Sequence, residues 1–320
     1  MSLIDSLDPA VASAAPAATS AVAAAPRAGL FGISAAMVTP FLPNGQVDML
    51  RAGEHAAALI AGGANGVTLF GTTGEGAALG RADRGALLAA VLGNGVPVEK
   101  VTVCLCATSL EEAEYQARVA LSQGVKRLLA TPPFYFKGVS DDALYDWYAA
   151  LLGKLSDHQP EFILYHIPQV TGVGLSEALI RRLKDTFGAA IFGVKDSSGD
   201  WANAEALLKY KDLAILIGDE RLLARAAPLG GAGAISGMAN LFPARLGALI
   251  RTGVADPEMS ALVDAVVTAP VTPLVKALVG VARNDPAWAR VRPPLTTSDR
   301  AVVARVAALM TPMADAAPAR

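Results

Sequence analysis

The chain has 320 residues, 27 Lys and Arg against 29 Asp and Glu, a formal net charge of −2 and 53% apolar residues. That length suits one large domain or two medium ones, and the apolar share predicts a sizeable buried core. A near-neutral charge without a basic stripe argues against nucleic acid as a partner, and no continuous apolar run reaches the roughly 18 residues that a membrane span requires.

Residues 1–28 are mostly Ala, Ser, Thr and Pro, with Asp5 and Asp8 near the start and no basic residue before Arg27. A secretory signal needs a positive start and a strongly apolar centre, so this stretch reads as a disordered tail and the protein as cytoplasmic by default. From Gly32 onwards two kinds of segment alternate. Short apolar runs predict strands at 32–39, 66–70, 101–105, 127–130, 162–165, 190–195, 214–217 and 234–236. Between them, helical periodicity falls at 48–61, 81–92, 110–123, 141–155, 176–186, 202–210, 221–229 and 243–252. Such alternation argues for βα units on a parallel sheet. Glycines at 62–66 and 230–233 supply helix ends, and Ser140 and Ser176 stand at N-cap positions.

Eight strands and eight helices in strict alternation predict a (β/α)8 TIM barrel over 29–253. A doubly wound open sheet would carry G-x-G-x-x-G after its first strand, where this chain has Thr39-Pro40-Phe41. Residues 254–320 form a C-terminal helical region, with helices at 257–268 and 273–281, a break at Arg292-Pro293-Pro294 and a last helix near 298–310. A cap on the barrel and a subunit contact are both open roles for it.

Cys104 and Cys106 share one face of the third strand at a spacing of two, are too close for an ordinary disulfide and read as buried thiols. A C-x-C without a histidine cluster is a weak metal motif, and His55, His158 and His166 show no ligand spacing. The chain is therefore expected to use no metal and no other cofactor.

Barrel chemistry sits where strands end and βα loops begin. Those positions hold Thr39, Gly71-Thr72-Thr73-Gly74-Glu75, Pro132-Pro133-Phe134-Tyr135, Tyr165-His166, Lys195, Gly218-Asp219-Glu220 and Ser236-Gly237. Lys195 ends the apolar run of the sixth strand, and a buried lone ammonium is costly unless the amine works as a nucleophile. Gly71-Thr72-Thr73-Gly74 offers successive amides and two hydroxyls as an anion nest for a carboxylate or a phosphate. Tyr165 is a phenol able to donate and accept a proton, or a core aromatic with its hydroxyl at the surface. His166, next to it, points to the opposite face and reads as structural. Asp219 and Glu220 are adjacent, do not share a face and read as loop or helix-start carboxylates. One lysine, a phenol, hydroxyls and an anion nest suit imine chemistry on an oxo acid.

At these residues the chain resembles the dihydrodipicolinate synthase / N-acetylneuraminate lyase family of Schiff-base (β/α)8 lyases. The resemblance rests on Val38-Thr39-Pro40-Phe41, Gly71-Thr72-Thr73-Gly74-Glu75, Tyr165-His166-Ile167-Pro168 with Thr171-Gly172, Gly193-Val194-Lys195-Asp196, Gly218-Asp219 and Ala234-Ile235-Ser236-Gly237. It implies that Lys195 forms the imine with pyruvate and that Tyr165 relays protons. Thr72 and Thr73, within Gly71 to Gly74, would hold the pyruvate carboxylate, and the backbone of Ile235 would line the pyruvate pocket. It also implies a homotetramer or homodimer, in which a tyrosine crosses an interface into the proton relay, with Tyr135 as its candidate here.

Three departures from the family pattern bear on substrate and regulation. Val170 stands where synthases acting on aspartate semialdehyde carry a carboxylate-binding arginine, and valine cannot make that charge-assisted pair. An aldehyde or sugar acid of the 2-keto-3-deoxy type is therefore expected as second substrate, in aldol cleavage, condensation or dehydration. The alternatives are 4-hydroxy-tetrahydrodipicolinate synthesis from pyruvate and aspartate semialdehyde, or an oxo-acid sensor without turnover. The double proline at Pro132-Pro133 shifts the register of the Tyr135 loop by about one residue. Gly76 and Arg81 replace the serine and histidine of lysine-feedback sites, so feedback by lysine is not expected.

Overall fold

The computed structural model describes residues 30–311 and Met313; the expected tail over 1–28 lies outside the described residues. The strands are β1 (Gly32–Ala36), β2 (Gly66–Leu69), β3 (Val101–Leu105), β4 (Arg127–Ala130), β5 (Glu161–His166), β6 (Ile191–Asp196), β7 (Ala214–Ile217) and β8 (Gly233–Ser236). All pairs between neighbours are parallel, and β8 pairs back onto β1, closing the barrel in the order β1 to β8. Nearly every strand residue is buried, as expected when side chains fill the barrel on one face and helices cover the other.

The helices are α1 (Met49–Ala61), α2 (Arg81–Gly93), α3 (Leu110–Ser122), α4 (Asp141–Lys154), α5 (Pro168–Thr171), α6 (Glu177–Phe187), α7 (Trp201–Leu207), α8 (Leu223–Ala226) and α9 (Pro243–Thr252). They are followed by α10 (Pro257–Val266), α11 (Val271–Ala282) and α12 (Arg300–Ala307). Ser140 and Ser176 cap α4 and α6, accepting from the amides of Ala143 and Leu179 at 3.3 and 3.0 Å. In α6 the apolar stripe Leu179, Ile180 and Leu183 is buried, worth roughly 1.5–3 kcal/mol for each side chain. No helix among the described residues is long and apolar enough to cross a membrane.

Most differences from the expected elements lie at their ends. The first strand stops at Ala36: the Met37 amide still donates to the Thr68 carbonyl at 3.0 Å, but that of Val38 donates to the Asn240 side chain at 3.1 Å and not to a strand neighbour. The helix expected over 221–229 is a single α-turn, α8, between two 3₁₀ turns, with Pro228 and the left-handed Gly230 (φ 94°) at its end. The short α5 was absent from the periodicity. Pro168 opens it and Gly172 closes it at φ 64°, leaving too few residues to register as a helical pattern.

Of the C-terminal helices, α10 and α11 reach the barrel mouth. On α11, Thr272 Oγ1 donates to the carbonyl of Thr72 at 3.2 Å. One turn on, Lys276 forms a fully buried ion pair with Glu75.

Candidate functional site

Side-chain direction on β5 and β6 decides what meets inside the barrel. Phe162 pairs with Ile191, but Ile163 pairs with Gly193, so Phe192 is an extra residue on β6. Beyond this bulge Tyr165 pairs with Lys195 and His166 with Asp196. Register partners on adjacent strands point to the same face, which turns Tyr165 and Lys195 inward together. Gly193 permits the arrangement: a Cβ there would lie 2.1 Å from the carbonyl oxygen of Ala214 on β7.

Lys195 is 5% exposed and its Nζ donates to Tyr165 Oη at 3.0 Å. The Tyr165 hydroxyl lies 3.3 Å from Thr72 Oγ1, so amine, phenol and threonine hydroxyl form one chain. Among the described residues no carboxylate forms an ion pair with Lys195. These groups face a cavity of about 330 Å³, whose walls include Thr73, Ile235, Gly237, Gln169 and Ser197.

The loop after β2 builds the second wall. The amides of Thr72 and Thr73 have no acceptor among the described residues, whereas Gly76 N–H closes back on Gly71 at 3.0 Å and Thr39 Oγ1 holds the carbonyl of Gly74 at 2.7 Å. The left-handed positions of this loop are Phe70 (φ 64°) and Glu75 (φ 56°) rather than Gly71 or Gly74. Glycine is required instead by close approach. A Cβ on Gly74 would lie 2.7 Å from the carbonyl oxygen of Met37, and one on Gly76 would lie 1.6 Å from that of Phe70.

The remaining sequence candidates are spread around this cavity. Ile235 is buried on β8, paired with Ser34. Val170, on α5, is 59% exposed at the mouth. Tyr135 is 75% exposed, its ring edge-to-face with Phe136 at 5.3 Å, and it does not line the cavity of its own chain. Its loop is tied to α5 through Lys137 Nζ, which donates to the carbonyl of Thr171 at 2.6 Å. His166 points away from the cavity, accepts from the amide of Leu175 at 2.9 Å and is kept below the ordinary imidazole range by burial, against the pull of Asp196.

Asp219 and Glu220 part as expected, although Glu220 is more enclosed than a loop carboxylate. Asp219 caps a turn and holds Arg221 at 2.6 Å. Glu220 is buried and accepts from Ser236 Oγ at 2.6 Å; burial pushes its carboxyl up, against that hydrogen bond. Arg221, the guanidinium on the cavity wall, is already bound to Asp219 and Asp264. The sequence reading missed Thr272 and Lys276, because nothing local links α11 to a loop 200 residues earlier. It also missed Gln169, whose Nε2 donates to the carbonyl of Ser197 at 2.5 Å across the mouth.

An amine touching a phenol that in turn reaches a second hydroxyl can add to a carbonyl and pass protons along the chain, while unpaired amides on consecutive residues suit a carboxylate.

Comparison with known proteins shows the family to which this chain is similar. The model of the dihydrodipicolinate synthetase family matches residues 29–311. An uncharacterized DapA-like lyase of Chloroflexus aurantiacus is 33% identical over 296 residues, covering 90% of this chain and 98% of that one. A 4-hydroxy-tetrahydrodipicolinate synthase of Synechococcus is 31% identical, covering 67% of this chain and 70% of its own. The crystal structure of dihydrodipicolinate synthase from Agrobacterium tumefaciens superposes with a TM-score of 0.85 at 42% identity, covering 88% of this chain and 98% of that one.

Proposed function

The chain belongs to the dihydrodipicolinate synthetase family of lyases, and from that membership we propose that Lys195 forms a Schiff base with pyruvate or another 2-oxo acid. The observation that carries this reading is the contact chain from Lys195 Nζ through Tyr165 Oη to Thr72 Oγ1, at 3.0 and 3.3 Å. The unprotonated amine adds to the ketone, and Tyr165 returns a proton to the departing oxygen, which leaves as water. The carboxylate rests on the amides of Thr72 and Thr73, and the imine serves as electron sink. With a 2-keto-3-deoxy sugar acid, Tyr165 takes the proton of the C4 hydroxyl, the C3–C4 bond breaks, an aldehyde departs and the enamine is protonated at C3. Water then releases pyruvate from Lys195. Condensation is the reverse, and dehydration instead expels the C4 hydroxyl. Tyr135 acts, on this reading, only from a partner protomer in a homodimer or homotetramer.

The sugar-acid class is favoured by the mouth of the cavity. Val170 offers no charge there, Arg221 is held by two carboxylates, and Gln169, Ser197 and Ser198 supply uncharged polar groups suited to a polyhydroxy chain. A second reading, condensation of pyruvate with aspartate semialdehyde, is favoured by the 42% identical structure that bears the dihydrodipicolinate synthase name.

Borohydride added with pyruvate is expected to attach the reduced adduct to Lys195, and an unmodified Lys195 defeats the mechanism. Pyruvate release from a panel of 2-keto-3-deoxy acids and sialic acid, set beside condensation with aspartate semialdehyde, separates the two substrates. An adduct without turnover on any of them would indicate an oxo-acid sensor instead.

A further inference from the structure

The third strand and the residue that follows it carry two thiols that the proposed chemistry does not use. Cys104 is fully buried, and Cys106, one residue past the end of β3, is half-buried. A spacing of two on a regular strand argues against a disulfide, but Cys106 has left the strand and the two sulfurs stand 3.7 Å apart. Cys106 opens onto a second cavity of about 380 Å³, which shares Thr72, Ile167 and Val170 with the first, so a small solute reaches it from outside.

Arg84 lies behind the pair. It is buried, donates to the carbonyls of Cys104 at 3.1 Å and Gly76 at 2.6 Å, and stacks on the ring of Phe70 at 4.8 Å. Its Nε is buried without a partner, and among the described residues it meets no carboxylate. A guanidinium left uncompensated beside two sulfurs favours a thiolate. The Cys104 thiol, with Arg84 and Lys195 further off, holds the Cys106 thiol below its ordinary value against burial, whereas burial pushes Cys104 well above it. The pair thus divides into an accessible thiol that ionises more readily and an enclosed one that resists ionisation.

We propose that Cys104 and Cys106 form an oxidation site, at which a hydroperoxide converts the two thiols to an intrachain disulfide and loosens the turn that carries Thr72. The Cys106 thiolate attacks the peroxide and becomes a sulfenic acid, releasing hydroxide or alkoxide. The Cys104 thiol then displaces water from that sulfenic acid, so that the peroxide is reduced and two thiols are oxidised. The sulfurs must close from 3.7 Å to the disulfide length of about 2.05 Å. Cys106 has freedom to move, because its amide is held by the Gln116 side chain at 3.0 Å and not by a strand neighbour.

The link to Thr72 runs through Phe70. Cys106 Sγ donates to the Phe70 carbonyl at 3.4 Å. That residue is left-handed, an unfavourable conformation for a bulky side chain, and its carbonyl is packed against Gly76. A disulfide removes the thiol donor from the peptide two residues before Thr72. The consequence for pyruvate capture rests on the function proposed above; disulfide formation does not.

Hydrogen peroxide titration of the full chain, followed by alkylation and peptide mass mapping, tests the site. The expected product is a Cys104–Cys106 peptide lighter by two hydrogens and restored by dithiothreitol. Cys104→Ala should instead accumulate a dimedone-trapped sulfenic acid at Cys106, and Cys106→Ser should leave Cys104 unreacted. Thiols that remain alkylatable, sulfinic acid at Cys106 in the unaltered chain, or Cys104 reacting first would each overturn the proposal. In the second arm, the oxidised chain should trap pyruvate on Lys195 several-fold more slowly and recover on reduction, with Cys106→Ser indifferent to peroxide. A disulfide that forms while trapping is unchanged overturns the link to Thr72. Absence of trapping in the reduced chain rejects the Schiff-base reading and leaves the first arm to decide the oxidation site.

Discussion

Lys195 faces Tyr165 because β6 carries one residue, Phe192, that has no partner on β5. In unbroken register Lys195 would stand opposite His166, and its neighbour Val194 would take the place beside Tyr165. The bulge shifts every later side chain of β6 by one position relative to β5. Phe192 itself packs under Arg127, whose guanidinium carbon is 4.7 Å from the ring centroid.

Gly193 is the second requirement for that register, since a Cβ would meet the Ala214 carbonyl oxygen at 2.1 Å. Gly193→Ala is expected to destabilise the chain by roughly 2–3 kcal/mol and to slow borohydride trapping of pyruvate. Gly93→Ala, where nothing lies within 4 Å of the built Cβ, should leave the unfolding midpoint nearly unchanged. Denaturant melts of the two variants check the contrast, and equal melts would contradict it.

Tyr165→Phe keeps the ring over Lys195, where Nζ lies 4.2 Å from the ring centroid, and removes the hydroxyl shared with Thr72. On the proposed mechanism kcat falls by about 10²–10⁴, with little change in the pyruvate concentration needed for half-saturation. Steady-state kinetics measure this, and a wild-type kcat would remove Tyr165 from the relay.

The Glu75–Lys276 pair joins α11 to the loop after β2, with both side chains excluded from water. Burial brings the Lys276 ammonium down to about 8, against the pull of Glu75. Lys276→Met leaves a buried carboxylate without its partner and should cost about 3–5 kcal/mol, while Glu75→Gln combined with Lys276→Met should recover most of that loss. A double-mutant cycle in urea is the measurement, and strictly additive losses would count against direct coupling.

His55 gives the chain an acid limit. It is fully buried; its Nδ1 lies 2.8 Å from the Arg283 guanidinium and its Nε2 lies 3.1 Å from Asn240 Oδ1. The guanidinium can only donate, so Nδ1 accepts and Nε2 carries the proton. Burial, then Arg283, lowers the imidazole to about 4 from its ordinary value of 6.5. Between those values the unfolded chain binds the proton and the folded chain does not, so stability is lost as pH falls from about 6.5 to about 4. The full loss is on the order of 3 kcal/mol. Urea melts across that range should show a flatter acid limb for His55→Gln than for the unaltered chain, and parallel limbs would contradict the assignment.

Much of the architecture was legible in one dimension. Strand and helix periodicities, Ser140 and Ser176 at helix starts, and glycines at helix ends are signals carried by neighbouring residues. A lysine closing an apolar run and a Gly-Thr-Thr-Gly loop could both be placed at strand ends before any contact was known. The extent of the helix around α8 and the existence of α5 were not legible, because single turns hold too few residues to show a period.

The chain's own order of residues thus determined the eight βα units and brought Lys195, Tyr165 and Thr72 to the same rim, since propensity, capping and hydrophobic period act locally. Only closure of the barrel decided which way those residues face and what stands behind them. The Phe192 bulge, Gly193 against Ala214, Lys276 against Glu75 and Arg84 behind Cys104 each depend on segments that meet through packing. Exposure of Tyr135 outside its own cavity was decided at the same level. Contacts between residues more than 200 positions apart leave no periodic trace in the sequence, because their partners are selected by the shape of the folded chain.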